Sequence, residues 1–229
     1  MTALYADPSN TEGTTYGKRW RRHEWIGLTE AQATDNPRAQ KIVLAIHGGG
    51  IEGGTSEVAL AVAGYHPATF AQATDGLGVH DLWIFEGLLS RDNGDLHVTS
   101  TNYDDPIALE LVRNSRRCIS LHGVSDSGTN GKIQIGGCDP ELRSIVLEEL
   151  TVAGISAQVA VDPKLNGNDA TNICNRTTIG VGVQLEMGTT YRASLFASGC
   201  NTRELRQNNT NTTFCHLVMA LRTALYRVY

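Results

Sequence analysis

The stretch KIVLAIHGGGIEGGTSEVA, Lys41 to Ala59, decides how this chain is read. Its first eight residues form a nearly continuous apolar run that stops at glycines, the pattern of a strand buried on both faces. Strands of that kind belong to parallel or mixed sheets covered by helices on both sides. A helical pattern follows from Thr55 to Tyr65.

The same punctuation recurs downstream. Asp81–Leu89, Leu96–Ser100, Arg117–Val124, Lys132–Gly137, Ser156–Asp162 and Gly180–Met187 read as strands, and Pro106–Arg116, Pro140–Ala153 and Thr212–Arg227 as helices. Asp139 is placed to cap the third of these four helical patterns, with Pro140 at its first position. Strands alternating with helices predict a three-layer α/β/α sandwich around a mixed, mostly parallel sheet. Residues 1–25 are polar and turn-rich and read as an irregular N-terminal arm, leaving 26–229 as a single α/β domain.

The glycine-rich turn admits three chemistries. Gly48 to Thr55 is a near miss of a phosphate loop, but Gly54 stands where the lysine belongs and Glu52 puts negative charge where phosphates would lie. HGGG, His47 to Gly50, has the look of an oxyanion loop, yet no GxSxG nucleophile turn accompanies it. A metal uses what is present. His47 ends a buried strand and Glu52 opens the next helix, at the sheet edge where open α/β proteins build their sites. Arg117–Gly123 repeats the pattern of strand, histidine and glycine, so His122 emerges beside His47 if the two strands are parallel neighbours. Two imidazoles and a carboxylate with one open position form a zinc set, one ion per chain. Zinc hydrolysis also needs a base, and Glu186, at the end of an apolar strand where a carboxylate is costly, supplies one. His23, His66, His80, His97 and His216 have no acidic partner at a comparable spacing and read as structural or exposed.

Composition narrows the partners. A net charge of −5 and a pI near 5.8 leave no basic field for nucleic acid. The single basic run, Lys18 to Arg22, reads as solvated surface. No apolar run approaches the roughly 18 residues of a membrane helix, and the first 25 residues lack a signal peptide's apolar core. These features predict a soluble protein in a compartment the sequence leaves open. Cys118, Cys138, Cys174, Cys200 and Cys215 form no CxxC and no evident disulfide framework.

Taken in order, AIHGGGIEGGTSEVA, LHVTSTNYDDP, SLHG with IQIGGCD, NICNR and GVQLEM resemble the phage-type poly-γ-glutamate hydrolase family over most of the chain, from about residue 20 onward. The resemblance implies a zinc-dependent hydrolase with a metallocarboxypeptidase-like core, cleaving γ-glutamyl amide bonds. His47, Glu52 and His122 then match its zinc ligands and Glu186 its catalytic glutamate. Asn175 and Arg176 resemble the Asn-Arg pair that holds substrate carboxylate and polarises the scissile carbonyl in carboxypeptidase-like enzymes, a task suited to a planar guanidinium. Asp126, Lys132, Arg192, Arg203 and Arg206 are further groups that could support the site or meet the polymer. An acidic protein acting on a polyanion needs a locally positive cleft, so binding is expected to weaken steeply with salt. Two other readings share these residues: a zinc amidohydrolase acting on a peptide or N-acyl amino acid, and a non-catalytic polymer-binding protein.

Overall fold

A computed structural model describes residues 1–22 and 41–228 of the 229-residue chain. Among the described residues seven strands form one sheet: β1 (Tyr16–Arg21), β2 (Lys41–Gly49), β3 (Asp81–Gly87), β4 (Arg117–Val124), β5 (Ile133–Gly136), β6 (Ala157–Val159) and β7 (Val183–Gly188), in spatial order β1-β3-β2-β4-β7-β5-β6. The pairs β3–β2, β2–β4, β4–β7 and β5–β6 are parallel, while β1–β3 and β7–β5 are antiparallel. The sheet is mixed and mostly parallel, as the apolar runs predict.

Alternation along the strands divides the core in two. Val43, Ala45, Ile119 and Leu121 face one layer with residues of α2 (Thr55–Val62), α4 (Pro140–Val152) and α7 (Thr212–Arg227). Ile42, Leu44, Ile46 and Cys118 face the other, packing on α3 (Pro106–Arg113) and the N-terminal segment. Asp139 accepts from the Leu142 N–H, and Asp105 from Ile107 and Ala108, so both helices start at a capped aspartate followed by proline.

The expected irregular arm is partly ordered structure. α1 (Thr2–Ala6) and β1 lie within it, β1 pairs along its length with β3 from Tyr16↔Gly87 to Arg21↔Leu82, and Met1 and Tyr16 are buried. An edge strand with one covered residue and several charges carries little apolar alternation, which is why the pattern misses it. Its basic run is neutralised locally: Lys18 pairs with Glu12 at 2.9 Å and Arg19 with Glu86 at 2.6 Å. Residues 23–25 of the arm, including His23, lie outside the described residues.

Leu96–Ser100 is not a strand. It runs between two 3-10 turns, Asn93–Leu96 and Ser100–Asn102, with Leu96 buried as an anchor. Five alternating residues do not distinguish an edge strand from an extended loop, and here turn-forming residues flank them on both sides. All five cysteines are free, and among the described residues no helix is long and apolar enough to cross a membrane.

Candidate metal centre

The crossover from β2 through α2 to β3 runs toward one side of the sheet, and β4 lies on the other side of β2. The carboxyl ends of β2 and β4 therefore flank a switch in strand order, where such sheets open a crevice. Ile42 pairs with Cys118 and Leu44 with Ser120, so regular alternation would bring Ile46 beside His122 and turn His47 to the opposite face. It does not, because β2 slips by one residue against β3 between Ala45 and Gly48. This bulge re-aims His47 onto the face of His122, and their Nδ1 atoms come within 3.2 Å.

The glycines then return Glu52 over His47. Gly49 has φ +65°, and a Cβ there would lie 2.4 Å from the Gly87 carbonyl; one on Gly48 would meet Ser56 Oγ at 2.2 Å. Only backbone fits in that space. The turn closes with the Glu52 N–H donating to the His47 carbonyl at 2.8 Å, which sets Glu52 Oε1 3.0 Å from His47 Nδ1. Glu52 Oε2 accepts from the Gly123 N–H at 2.8 Å and lies 3.8 Å from His122 Nδ1.

His47 Nδ1, a Glu52 oxygen and His122 Nδ1 thus converge, and the far ring atoms are held. His47 Nε2 donates to the Val98 carbonyl at 2.8 Å, and His122 Nε2 meets Ser120 Oγ at 2.9 Å. With Nε2 held in this way, His47 Nδ1 faces the cluster. Burial lowers His122 to about 4, keeping its ring neutral. Burial alone would raise Glu52, but hydrogen bonding and charge from His47, with help from His97 and His122, hold its carboxyl far below the usual range. Nitrogen and carboxylate donors converging in this way could hold a cation between them. The His47–His122 Nδ1 separation of 3.2 Å and the 3.0 Å from His47 Nδ1 to Glu52 Oε1 lie close to the about 3.3 Å expected between ligands of a tetrahedral zinc with bonds near 2.0–2.1 Å, and Glu52 Oε2 stands 3.8 Å from His122 Nδ1.

His97 is the member that the sequence reading misses. Its ring stacks on His47 with centroids 3.7 Å apart, and its Nε2 lies 3.4 Å from Glu52 Oε1. Ligand atoms of His47, Glu52 and His97 all fall within 4.8 Å of one another, so this trio also offers a metal set. Unlike the buried His122, the His97 side chain is 43% exposed and stands at the mouth. It arrives from a loop 45 residues beyond Glu52, a separation no local motif encodes.

Glu186 occupies the floor. His122 and Glu186 are paired neighbours across β4 and β7, and Gln184 Nε2 donates to Glu186 Oε1 at 3.1 Å. Burial first, then the nearby Glu52 charge, push Glu186 up to about 8. Around these groups opens a cleft of about 380 Å³, walled by His97 and Thr99–Thr101 on one side and by Pro163, Lys164, residues 166–169 and Asn172 on the other.

Asn175 and Arg176 do not line this cleft. The buried Asn175 amide accepts from the Cys138 and Gly182 N–H groups and donates to the Gly167 and Asp169 carbonyls, leaving nothing for a substrate. Arg176 Nε donates to the Thr171 carbonyl at 2.8 Å, and its other nitrogens reach the Thr101 and Tyr103 carbonyls. In place of the substrate contacts expected of this pair, the structure shows backbone contacts, those of Arg176 running to the Thr101, Tyr103 and Thr171 carbonyls. A dipeptide motif does not reveal whether its donors are already taken by nearby carbonyls.

Fold and site together define an α/β protein with a candidate mononuclear metal centre beside a buried carboxylic acid. The family model described as Poly-gamma-glutamate hydrolase matches residues 29–220. The chain belongs to that family. It is 38% identical over 169 residues to UPF0714 protein YndL of Bacillus subtilis (strain 168), covering 73% of this chain and 61% of YndL. It is 37% identical over 156 residues to SPbeta prophage-derived UPF0714 protein YoqZ of the same organism, covering 68% and 51%. The chain therefore spans less than two thirds of the length of these two relatives. Among solved structures, a bacteriophage poly-γ-glutamate hydrolase superposes with TM-score 0.78 at 30% identity, covering 94% of this chain and 90% of the other. A zinc-free apo form of YndL superposes with TM-score 0.77 at 32% identity, covering 100% and 95%.

Proposed function

We propose that this chain hydrolyses γ-glutamyl amide bonds of poly-γ-glutamate using one zinc ion held by His47, Glu52 and His122. The observation that carries the reading is the meeting of these three donors beside Glu186 in a cleft of a poly-γ-glutamate hydrolase family member. That a relative is described as apo when zinc-free favours zinc over other divalent ions. Bound there, zinc supplies Lewis acidity, polarising an amide carbonyl and lowering the pKa of water toward about 7.

The protein's own groups do the rest. Val98 and Ser120 orient the two imidazoles, and the Gly123 N–H holds Glu52. Glu186 takes a proton from the attacking water and returns it to the departing nitrogen. A carboxyl raised to about 8 suits a group that must accept and then donate near neutrality. Gln184, bonded to Glu186, keeps that carboxylate turned into the cleft.

The test is metal analysis of the purified protein together with size analysis of poly-γ-glutamate incubated with and without a chelator. About one zinc per chain, and polymer shortening that the chelator abolishes, are expected. Zinc without shortening would transfer the site to another amide substrate, and absence of any bound metal would overturn the mechanism.

A further inference from the structure

Each residue of poly-γ-glutamate carries a free α-carboxylate, and the one nearest a scissile amide sits on the carbon bearing the departing nitrogen. A protein of net charge −5, whose cleft contains Glu52, Glu186 and Asp169, must offer that group a cation. The arginines singled out in the sequence are engaged elsewhere. Arg176 is bound to backbone carbonyls, Arg192 donates to the Met187 and Gly53 carbonyls, Arg206 to Glu57 and the Gly49 carbonyl, and Arg203 pairs with Glu204. Lys132 lines a separate cavity with Asp126 and Tyr191.

Lys164 remains. It lines the cleft, and its Nζ has no partner among the described residues. The backbone beneath it is tightly held: Asp162 Oδ1 accepts the Lys164 N–H, and the Asp162 carbonyl accepts those of Leu165 and Asn166. The next residue ties this turn to the chemistry. Gln184 Nε2, which donates to Glu186, also donates to the Leu165 carbonyl at 3.1 Å, while Gln184 Oε1 accepts from Asn172 at 2.8 Å. One amide therefore sets the loop of Lys164 in register with Glu186. At the far end of that loop Asp169, kept ionised by its hydrogen bonds from Thr171, adds a negative charge to the cleft wall.

We propose that Lys164 binds the α-carboxylate beside the scissile γ-glutamyl amide and thereby selects γ-linked glutamate over neutral amides. The assignment rests on the poly-γ-glutamate reading above. A mobile ammonium suits a carboxylate whose position shifts as the chain threads the cleft.

The test compares zinc-loaded wild type, Lys164→Met and Lys164→Arg on a γ-linked glutamate oligomer and on the same oligomer with its α-carboxylates converted to carboxamides. Lys164→Met is expected to raise KM roughly tenfold on the free oligomer with kcat within about twofold, to leave the carboxamide oligomer unaffected, and to be largely rescued by Lys164→Arg. Binding of the free oligomer to Glu186→Gln, with and without Lys164→Met, should differ by the same factor. An unchanged KM would overturn the assignment, as would an equal loss on both oligomers, which would mark a loop that only holds shape. A wild type that cleaves neither oligomer would remove the substrate reading itself, and the assignment with it.

Discussion

At the scale of single residues, the site separates donors that hold a metal from groups that move protons. Glu186→Gln keeps the shape and the Gln184 contact but removes the base. Turnover should fall by about three orders of magnitude with zinc content unchanged, and retained turnover would take Glu186 out of the role. The two histidines near Glu52 are distinguishable in the same way. His122 is buried and braced by Ser120, whereas His97 is half-exposed on a loop. His122→Ala should lose most of the bound zinc and His97→Ala should retain it. The opposite result would exchange their positions in the ligand set.

At the scale of elements, two devices assemble the cleft: the bulge in β2, and the segment between β5 and β7. Asn175 staples that segment through four backbone groups, two of them N–H donors and two carbonyls. Asn175→Ala leaves these without partners and should cost about 3 kcal/mol or more in urea unfolding. Arg176 spans the walls through the Thr101 and Thr171 carbonyls. If it acts only in this way, Arg176→Ala lowers Tm and raises KM together. A rise in KM with Tm unchanged would return it to substrate binding. Both residues sit in a motif whose composition was visible, but their bonds run to residues up to 75 positions away, which no local pattern carries.

At the scale of the whole molecule, charge sets how a polyanion is met. The arginines that could have made the cleft strongly positive are bound to carbonyls and carboxylates, and among the described residues Lys164 is left as the free cation lining it. The steep salt dependence suggested by the sequence therefore becomes shallow. A single ion pair gives roughly a fourfold rise in KM for a fourfold rise in salt, and a much steeper response would mean that further cations reach the polymer. The cleft walls instead carry Asn166, Asn168, Asn172 and Thr99–Thr101, groups that hydrogen-bond amides with little regard for salt.

Most strand runs, the Asp139 helix cap and the candidacy of His47, Glu52 and His122 as strand-end donors could be read from the sequence alone, because apolar periodicity and strand-end position are local properties, whereas the meeting of His47 with His122 waited on the β2 bulge and the pairing of β2 with β4. The edge strand β1, the extended loop at Leu96–Ser100, the arrival of His97, the spent donors of Asn175 and Arg176 and the free one of Lys164 were decided only by tertiary structure. Each depends on which backbone carbonyl or carboxylate lies within about 3 Å of a given donor, and that distance is set by packing between segments far apart in the chain.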